Sequence, residues 1–257
     1  MVRGLYTAYT GMANEQKRLD LIANNLANAA TVGYKEENVT NQAFDDLLTI
    51  KIRDASEGNI NRSIGTMSMG VKLGENYTDY KQGSLRQTNN TYDLALEGKG
   101  FFQLSLMDKA GNESIRYTRN GSFTMSNDGH IVDKDGNYLI GESGAIVVPS
   151  NATNIIIDKR GAIYANGEYV DSIKLTDFED YNYLSKSGDT MYQALDGAVE
   201  KAPAASIQQG YTEQSNVNIV SEMVNMITIT RAYEANQKVI KTVDQSLDLA
   251  VNSIGRI

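Results

Sequence analysis

Each end of this chain carries an apolar stripe with the spacing of a coiled-coil helix. Alternating steps of three and four residues place side chains on one narrow helix face, which another helix must cover. The C-terminal stripe comprises Ile219, Met226, Ile229, Tyr233, Ile240, Val243, Leu247, Ala250 and Ile254, with Glu222 and Asn236 as its polar breaks. The N-terminal stripe comprises Leu5, Tyr9, Met12, Leu19, Ala23 and Leu26, with Gln16 as its polar break. The sequence therefore predicts a long helix at each end, and we interpret these two helices as an assembly device.

The periodicity leaves open what covers the two stripes. A helix of this kind is stable only when its apolar face is packed. Each fully buried apolar side chain contributes about 1.5–3 kcal/mol, so a seam of a few residues is worth several kcal/mol. The two ends can pair within one chain, which gives an ordinary monomer, or with other copies, which gives an assembly.

The middle of the chain has the pattern of short β-strands separated by tight turns. Residues 101–106 read as one strand and residues 155–157 as another. Glycine lies beside a residue that tolerates positive φ at 127–129 and 135–137, and residues 159–161 form a further turn. This spacing predicts an all-β sandwich or barrel-like unit between residues 94 and about 176.

Local signals set the expected ends of the two helices. The first helix is predicted over residues 3 to about 28, with Gly33 as a plausible stop because helices often end at a left-handed glycine. Ser215 or Asn216 is predicted to cap the second helix.

Three other segments carry weaker patterns. Residues 44–50 are interpreted as a short helix, residues 57–74 as an extended excursion with little core, and residues 177–205 as polar and irregular. The predicted fold class is α+β, with long N- and C-terminal helices forming a coiled-coil-like assembly domain and a mainly β domain inserted between them. Its parts are predicted to be an assembly helix (1–35), an extended linker segment (36–90), a β-rich domain (91–210) and a second assembly helix (211–257).

Composition excludes several function classes. The net charge of −8 opposes binding to the phosphate backbone, so nucleic acid is not an expected partner. Cysteine is absent, which excludes disulfides and thiol chemistry. No apolar run approaches the ~18 residues of a membrane helix, and the N-terminus lacks the pattern of a cleavable signal peptide.

The chain offers little material for catalysis or for binding a cofactor. His130 is the only histidine, and it has no second histidine or thiol to complete a metal site. The loop at residues 133–136 resembles part of a calcium loop, but Ile131 occupies the first ligand position. We therefore expect no enzyme activity, no metal and no cofactor.

Three asparagines lie near the end of the first predicted helix, where asparagine is a poor interior residue. Asn24 and Asn28 are four residues apart and share a helix face, with Asn25 between them. One interpretation is a fraying helix end. The other is that these amides hydrogen-bond another segment and fix its register, as a polar residue does in a coiled-coil seam.

Three blocks of sequence resemble the bacterial flagellar rod and hook family. The first is Ala-Asn-Asn-Leu-Ala-Asn at 23–28, followed by Thr31, Gly33, Tyr34 and Lys35. The second contains Gln-Gly-Ser-Leu at 82–85, Asp-Leu-Ala-Leu at 93–96, Gly-Phe-Phe at 100–102 and Tyr-Thr-Arg-Asn-Gly-Ser-Phe at 117–123. The third contains Ser-Asn-Val-Asn at 215–218, Glu-Met-Val-Asn-Met-Ile at 222–227 and Arg-Ala-Tyr-Glu-Ala-Asn at 231–236. The blocks occur in family order and span most of the chain.

The resemblance implies a structural axial protein that is exported unfolded by the flagellar export apparatus into the basal body. Its implied partners are other copies of itself and the neighbouring rod and hook subunits. Within the family the chain resembles the distal rod class, with the proximal rod class as the alternative and a secreted adhesin as a more distant one. The expected assembly and motif residues are Leu5, Met12, Leu19, Asn24, Asn25, Leu26, Asn28, Gly33, Tyr34, Asn216, Val217, Glu222, Met226, Ile229, Arg231, Tyr233, Glu234, Asn236, Ile240, Val243 and Leu247.

Overall fold

A computed structural model of the chain describes residues 2–51, 62–107, 113–149, 152 and 154–254. The chain divides into two compact units. The first contains the described parts of 1–26, 37–78 and 218–257, and the second contains those of 27–36 and 79–217. A helix near each terminus and a β-rich middle confirm the mixed α and β content predicted from the sequence.

The first unit combines two long helices with two antiparallel strand pairs. Its helices are α1 (Val2–Ala27) and α2 (Ile219–Leu249), and α2 continues as a π-helical turn (Ala250–Ile254). Its strands are β1 (Glu37–Ala43), β2 (Leu47–Lys51), β3 (Arg62–Met67) and β4 (Val71–Thr78). β1 pairs with β4, and β2 pairs with β3.

The prediction of a helix at residues 44–50 is wrong, because residues 47–51 form β2. Leu47 pairs with Met67 across the β2–β3 ladder. Both Leu47 and Leu48 are exposed, so this segment has no buried apolar face with which to hold a helix.

The predicted excursion at 57–74 is extended where it is described, in β3 and β4, while residues 57–61 lie outside the described residues.

The caps of both helices differ from prediction. α1 ends at Ala27, and Gly33, with φ +71°, belongs to a separate turn beyond that helix. Asn218 caps α2, since its Oδ1 accepts the N–H groups of Val220 and Ser221 at 3.1 and 3.2 Å. Asn216 is not the cap because its amide binds other backbone groups of the second unit.

The second unit is built from antiparallel strands. They are β5 (Leu85–Gln87), β6 (Leu94–Glu97), β7 (Phe101–Met107), β8 (Glu113–Thr118), β9 (Thr124–Met125), β10 (Ile131–Val132), β11 (Tyr138–Leu139), β12 (Ile155–Ile157), β13 (Ala162–Ala165), β14 (Glu168–Ser172), β15 (Leu175–Phe178), β16 (Leu184–Lys186), β17 (Met191–Ala194), β18 (Glu200–Lys201), β19 (Ser206–Gln209) and β20 (Tyr211–Glu213), with a 3-10 turn at Tyr181–Tyr183. The largest sheet runs β16-β17-β8-β7-β11-β10-β9, and β15 joins β7 to β18. β12, β13 and β14 form a second sheet, while β19 pairs with β6 and β20 with β5.

Strand β7 lies at the centre of this unit and is buried on both faces. Phe102 and Leu104 pack into the larger apolar cluster, whereas Phe101 packs into a smaller aromatic cluster with Tyr117 and Tyr192.

Residues 177–205, predicted to be irregular, contain β16, β17 and β18, because Leu184 and Tyr192 supply two of the side chains that the aromatic cluster buries. The irregular interpretation was therefore wrong.

Candidate assembly site

Helices α1 and α2 pair antiparallel within one chain, and two polar contacts define their register. Asn25 Nδ2 lies 3.5 Å from Glu222 Oε2, and a Cβ added at Gly11 would lie 3.0 Å from Asn236 Nδ2. Gly11 and Asn25 are fourteen residues apart, as are Asn236 and Glu222 in the reverse direction. The two polar breaks in the C-terminal stripe are thus both points of contact between the helices.

The inward side chains of α2 follow the predicted stripe except at Ile219, where the prediction is wrong because that residue is 49% exposed. Glu222 and Ile229 are buried, and Arg231 and Glu234 are exposed. The half-buried members of the stripe are Met226, Tyr233, Asn236, Ile240, Val243, Leu247 and Ala250. This arrangement shows that the predicted narrow face of α2 is the one turned inward.

The inward face of α1 agrees with the predicted stripe at four of its seven positions. The agreeing positions, Leu5, Met12, Leu19 and Leu26, are half-buried. Tyr9, Gln16 and Ala23 are exposed, so the prediction is wrong there, and the preceding residues Ala8, Glu15 and Ile22 lie on the inner face instead. Ala8 and Tyr9 are both apolar, as are Ile22 and Ala23. Hydrophobic spacing alone does not show which of two adjacent apolar residues faces inward.

Asn25 is the asparagine that binds another segment. Its side chain is 1% exposed, and it holds both backbone groups of Glu37, donating from Nδ2 to the carbonyl at 2.8 Å and accepting the N–H at 3.1 Å. Asn24 is exposed, and Asn28 accepts a hydrogen bond from Thr31 Oγ1 at 3.0 Å. The shared face of Asn24 and Asn28 is therefore not the face that carries this contact.

A buried ionic cluster lies in the second unit, where the segment that follows α1 in sequence meets strand β20. Lys35 Nζ lies 2.6 Å from Glu213 Oε1, and Arg119 Nη1 lies 3.3 Å from Glu213 Oε2. Lys35 Nζ also donates to the carbonyl of Lys81 at 2.6 Å, and Gly83 N–H donates to Glu213. Burial lowers the pKa of Lys35, and the neighbouring Glu213 carboxylate offsets part of that shift.

Backbone contacts complete this region, which we call the junction and define as residues 33–36 and 213–217. Gly33 N–H donates to the carbonyl of Glu213 at 2.8 Å. Asn216 donates to the carbonyl of Asp79 at 2.7 Å and accepts the N–H of Glu36 at 2.8 Å. A Cβ at Gly33 would lie 2.3 Å from the backbone nitrogen of Asn120, so no other residue fits there without displacing that backbone.

Two further motif residues are enclosed within the junction. Tyr34 is fully buried, and the Nζ atom of Lys186 lies 4.2 Å from its ring centroid, within the range of a cation–π contact. Val217 is 9% exposed. The motif residues that the sequence singled out at 33–34 and 216–217 therefore lie together in one region of the second unit.

No local sequence pattern predicts a role for Lys35, Arg119 or Glu213. A lysine is rarely buried unless it is paired, and the local sequence gives no sign of a carboxylate that lies 178 residues further on. Only the agreement of Lys35 and Arg119 with the family blocks could have drawn attention to them.

His130, the histidine singled out from the sequence, lies in the β-rich unit. His130 stacks edge-on against Tyr138, with ring centroids 5.0 Å apart. Among the described residues, no three histidine or acidic side chains are placed to hold a metal ion. None of the helices in this described part of the chain is both long and apolar enough to cross a bilayer.

A second apolar surface lies on the first turns of α2, outside the seam. Its members are Val220, Met223, Val224 and Ile227, each more than half exposed, and we call it the α2 apolar face. The four residues are three or four positions apart, so they share one side of the helix.

Three family models match this chain, in the order expected from the sequence blocks. "Flagella basal body rod protein" matches residues 5–35, "Flagellar hook protein FlgE/F/G D1 domain" matches 95–165, and "Flagellar basal body rod FlgEFG protein C-terminal" matches 208–253. The three matches cover the segments that contain α1, most of the β-rich middle and α2.

Full-length relatives give the same result. The flagellar basal-body rod protein FlgG of Caulobacter vibrioides is 37% identical, over 96% of this chain and 97% of the relative. FlgG of Buchnera aphidicola from Acyrthosiphon pisum is 36% identical, over 96% and 98% respectively. The flagellar hook-basal body complex protein FlhO of Bacillus subtilis is 32% identical over the full length of both.

Proposed function

The chain belongs to the flagellar basal-body rod protein family, and we propose that it is a structural subunit of the distal rod. In this role it assembles through its terminal helices into a helical tube that transmits torque from the motor to the hook. Near-complete coverage of relatives named as basal-body rod proteins is the observation that carries the proposal.

The α2 apolar face supports assembly between copies. The seam of α2 is occupied by α1 of the same chain, as the contact between Asn25 and Glu222 shows. Val220, Met223, Val224 and Ile227 point away from that seam and remain exposed. When such a face is covered by a different surface on the next copy, the contact is heterologous. If the rotation that relates successive copies does not close a ring, the copies form a helical filament. In this proposal α2 uses two packing surfaces. Its seam packs against α1 of the same chain, and its apolar face packs against the next copy.

Other rod and hook subunits are the expected neighbours, and the flagellar export apparatus is the expected route out of the cytoplasm. The proximal rod remains the alternative position. Quantitative mass spectrometry of purified hook–basal bodies tests the function and the position together. Many copies per structure, in a fixed ratio to hook protein, support a rod subunit, and the ratio separates the distal from the proximal class. Absence from basal bodies with abundance in the medium would instead indicate a secreted adhesin.

Substitutions on the α2 apolar face test the assembly role directly. Val224→Asp and Ile227→Asp place a charge on an exposed surface, so the isolated chain should keep its fold while its incorporation into basal bodies is lost. Gln237→Asp, at an exposed position of the same helix, is the matched control and should incorporate normally. Normal incorporation of the Val224 and Ile227 variants would show that this face is not an interface.

A further inference from the structure

A groove between α1 and β4 in the first unit has no role in the assembly described above. It encloses about 180 Å³ and is lined by Tyr9, Asn14, Lys17, Phe44, Lys72 and Leu73, and we call it the α1–β4 groove. Tyr9 is 56% exposed at its rim, which explains why an aromatic residue lies on the outer side of α1. Its walls are thus aromatic and aliphatic, with two lysines.

A buried acceptor in this groove lacks a donor. Asn14 is 3% exposed, and its Nδ2 donates to Asn41 Oδ1 at 3.1 Å. Its Oδ1 has no hydrogen-bond partner among the described residues. Leaving a buried acceptor unpaired is unfavourable, so a ligand that supplies an N–H group is favoured at this position.

The groove also carries two positive charges. Lys17 and Lys72 are exposed and form no ion pair with another residue that the structure describes. The Nζ atom of Lys72 lies 6.0 Å from the Phe44 ring centroid. Two ammonium groups beside aromatic walls suit an extended peptide that carries carboxylates next to apolar side chains.

This chain displays such a peptide. Asp45 and Asp46 are followed by Leu47 and Leu48, and all four are exposed. The leucines are 56% and 64% exposed, so most of their apolar surface is uncovered in a single chain. Neither aspartate is ion-paired within the described part of the chain. We call residues 45–48 the acidic segment.

We propose that the acidic segment of one copy binds the α1–β4 groove of the next copy in the rod. Asp45 and Asp46 pair with Lys17 and Lys72, and the leucines pack against the aromatic walls. A backbone N–H of the segment meets the Oδ1 atom of Asn14. The inference rests on the proposed function, because it assumes that copies of this chain lie side by side.

The geometry of the chain favours a neighbouring copy as the occupant. Phe44 forms one wall of the groove, but Leu47 and Leu48 pair with β3 and stay exposed, so the segment does not fill the groove of its own chain. Groove and segment are different surfaces on the same subunit, so the contact is heterologous and repeats from copy to copy.

Cysteine cross-linking tests this contact, since the natural sequence contains no cysteine. Chains with Asp46→Cys and chains with Lys72→Cys are expressed together in the host, and isolated basal bodies are treated with a short bismaleimide. We expect a covalent dimer from the mixture and none from either variant expressed alone. Gln237→Cys, at an exposed position of α2 that belongs to neither the groove nor the acidic segment, paired with Lys72→Cys is the control and should give no dimer.

The outcomes separate this proposal from the proposed function. Assembled rods that contain both variants but give no mixed dimer would overturn the docking contact and leave the rod function standing. A dimer from Asp46→Cys alone would also overturn it, because two acidic segments would then face each other. A chain that never enters basal bodies would overturn the proposed function, and the docking contact with it.

Charge reversal gives an independent readout. Lys17→Glu with Lys72→Glu should reduce incorporation by at least about tenfold, because like charges then face each other across the contact. Adding Asp45→Lys and Asp46→Lys to the same chain should restore it. Failure of the fourfold variant to recover, with its fold intact by circular dichroism, would contradict the pairing.

Discussion

Lys35 and Glu213, which are 178 residues apart in sequence, form an ion pair of 2.6 Å with both side chains fully buried. Arg119 adds a second cation to the same carboxylate at 3.3 Å. Three parts of the second unit are thereby joined at one point: the segment that follows α1, the end of β8 and strand β20. Buried pairs of this kind add little net stability over apolar residues, but they strongly disfavour any arrangement that separates the partners.

Breaking this ion pair should destabilise the second unit. Glu213→Gln leaves both Lys35 and Arg119 buried without a counter-charge and should cost about 3–5 kcal/mol. Lys35→Met should cost less, because Glu213 keeps Arg119. Urea unfolding followed by near-ultraviolet circular dichroism of the aromatic cluster measures both. Lys99→Met, at an exposed lysine, should stay within about 0.5 kcal/mol of the natural protein. Equal stability of the Lys35 and Lys99 variants would contradict the assignment.

Removing the amide of Asn25 should loosen the start of β1. Asn25→Ala leaves the N–H and carbonyl of Glu37 without these partners, at a cost of roughly 1–3 kcal/mol. Hydrogen exchange at the Glu37 amide should accelerate accordingly. Asn24→Ala, at the exposed neighbouring residue, should leave that amide's exchange unchanged. Similar protection in both variants would mean that Asn25 does not hold β1.

The contact between Gly11 and Asn236 should appear as an energetic coupling. Gly11→Ala improves helix propensity by about 0.5–1 kcal/mol, but its Cβ would lie 3.0 Å from Asn236 Nδ2. The gain should therefore be larger when Asn236→Ala has removed that side chain. Thermal unfolding of the two single variants and the double variant, followed by helical circular dichroism, gives the coupling energy. Simple additivity would show that the helices do not approach at these residues.

Asp133 should make stability depend on pH. Burial raises its pKa above the ordinary value of 3.8, and the nearby Asp135 carboxylate raises it further. The contribution of such a group is fully present below pH 3.8 and is lost as the pH rises through its folded-state pKa. Asp133→Asn should therefore raise the melting temperature at pH 7, with the difference shrinking towards zero below about pH 4.

The control for this prediction is Asp128→Asn, at an exposed turn, which should change the melting temperature little. A stabilisation by Asp133→Asn that is independent of pH would point to altered hydrogen bonding instead. Asp133 Oδ1 accepts the N–H of Lys134 at 2.7 Å, and an asparagine oxygen can accept the same bond.

Local sequence was sufficient for most of the inner face of α2 and for two glycine turns of the β-rich middle. The stripe through Met226, Ile229 and Val243 predicted the inner face of α2 correctly, because 3.6-residue periodicity is a property of the helix itself. The glycine turns near residues 129 and 136 fall between strands, with φ of +82° at both glycines, a conformation that favours glycine. Membership of the rod family likewise follows from blocks that can be read along the chain.

What the sequence alone left undetermined depends on contacts between distant segments. Residues 44–50 have helical propensity but form β2 in part, because pairing with β3 satisfies their backbone. Ala8 rather than Tyr9 faces inward on α1, a choice made by the antiparallel neighbour and not by spacing. The ion pair of Lys35 with Glu213 exists only in the folded chain, because burying a lysine is tolerable only where the tertiary structure brings a carboxylate to it.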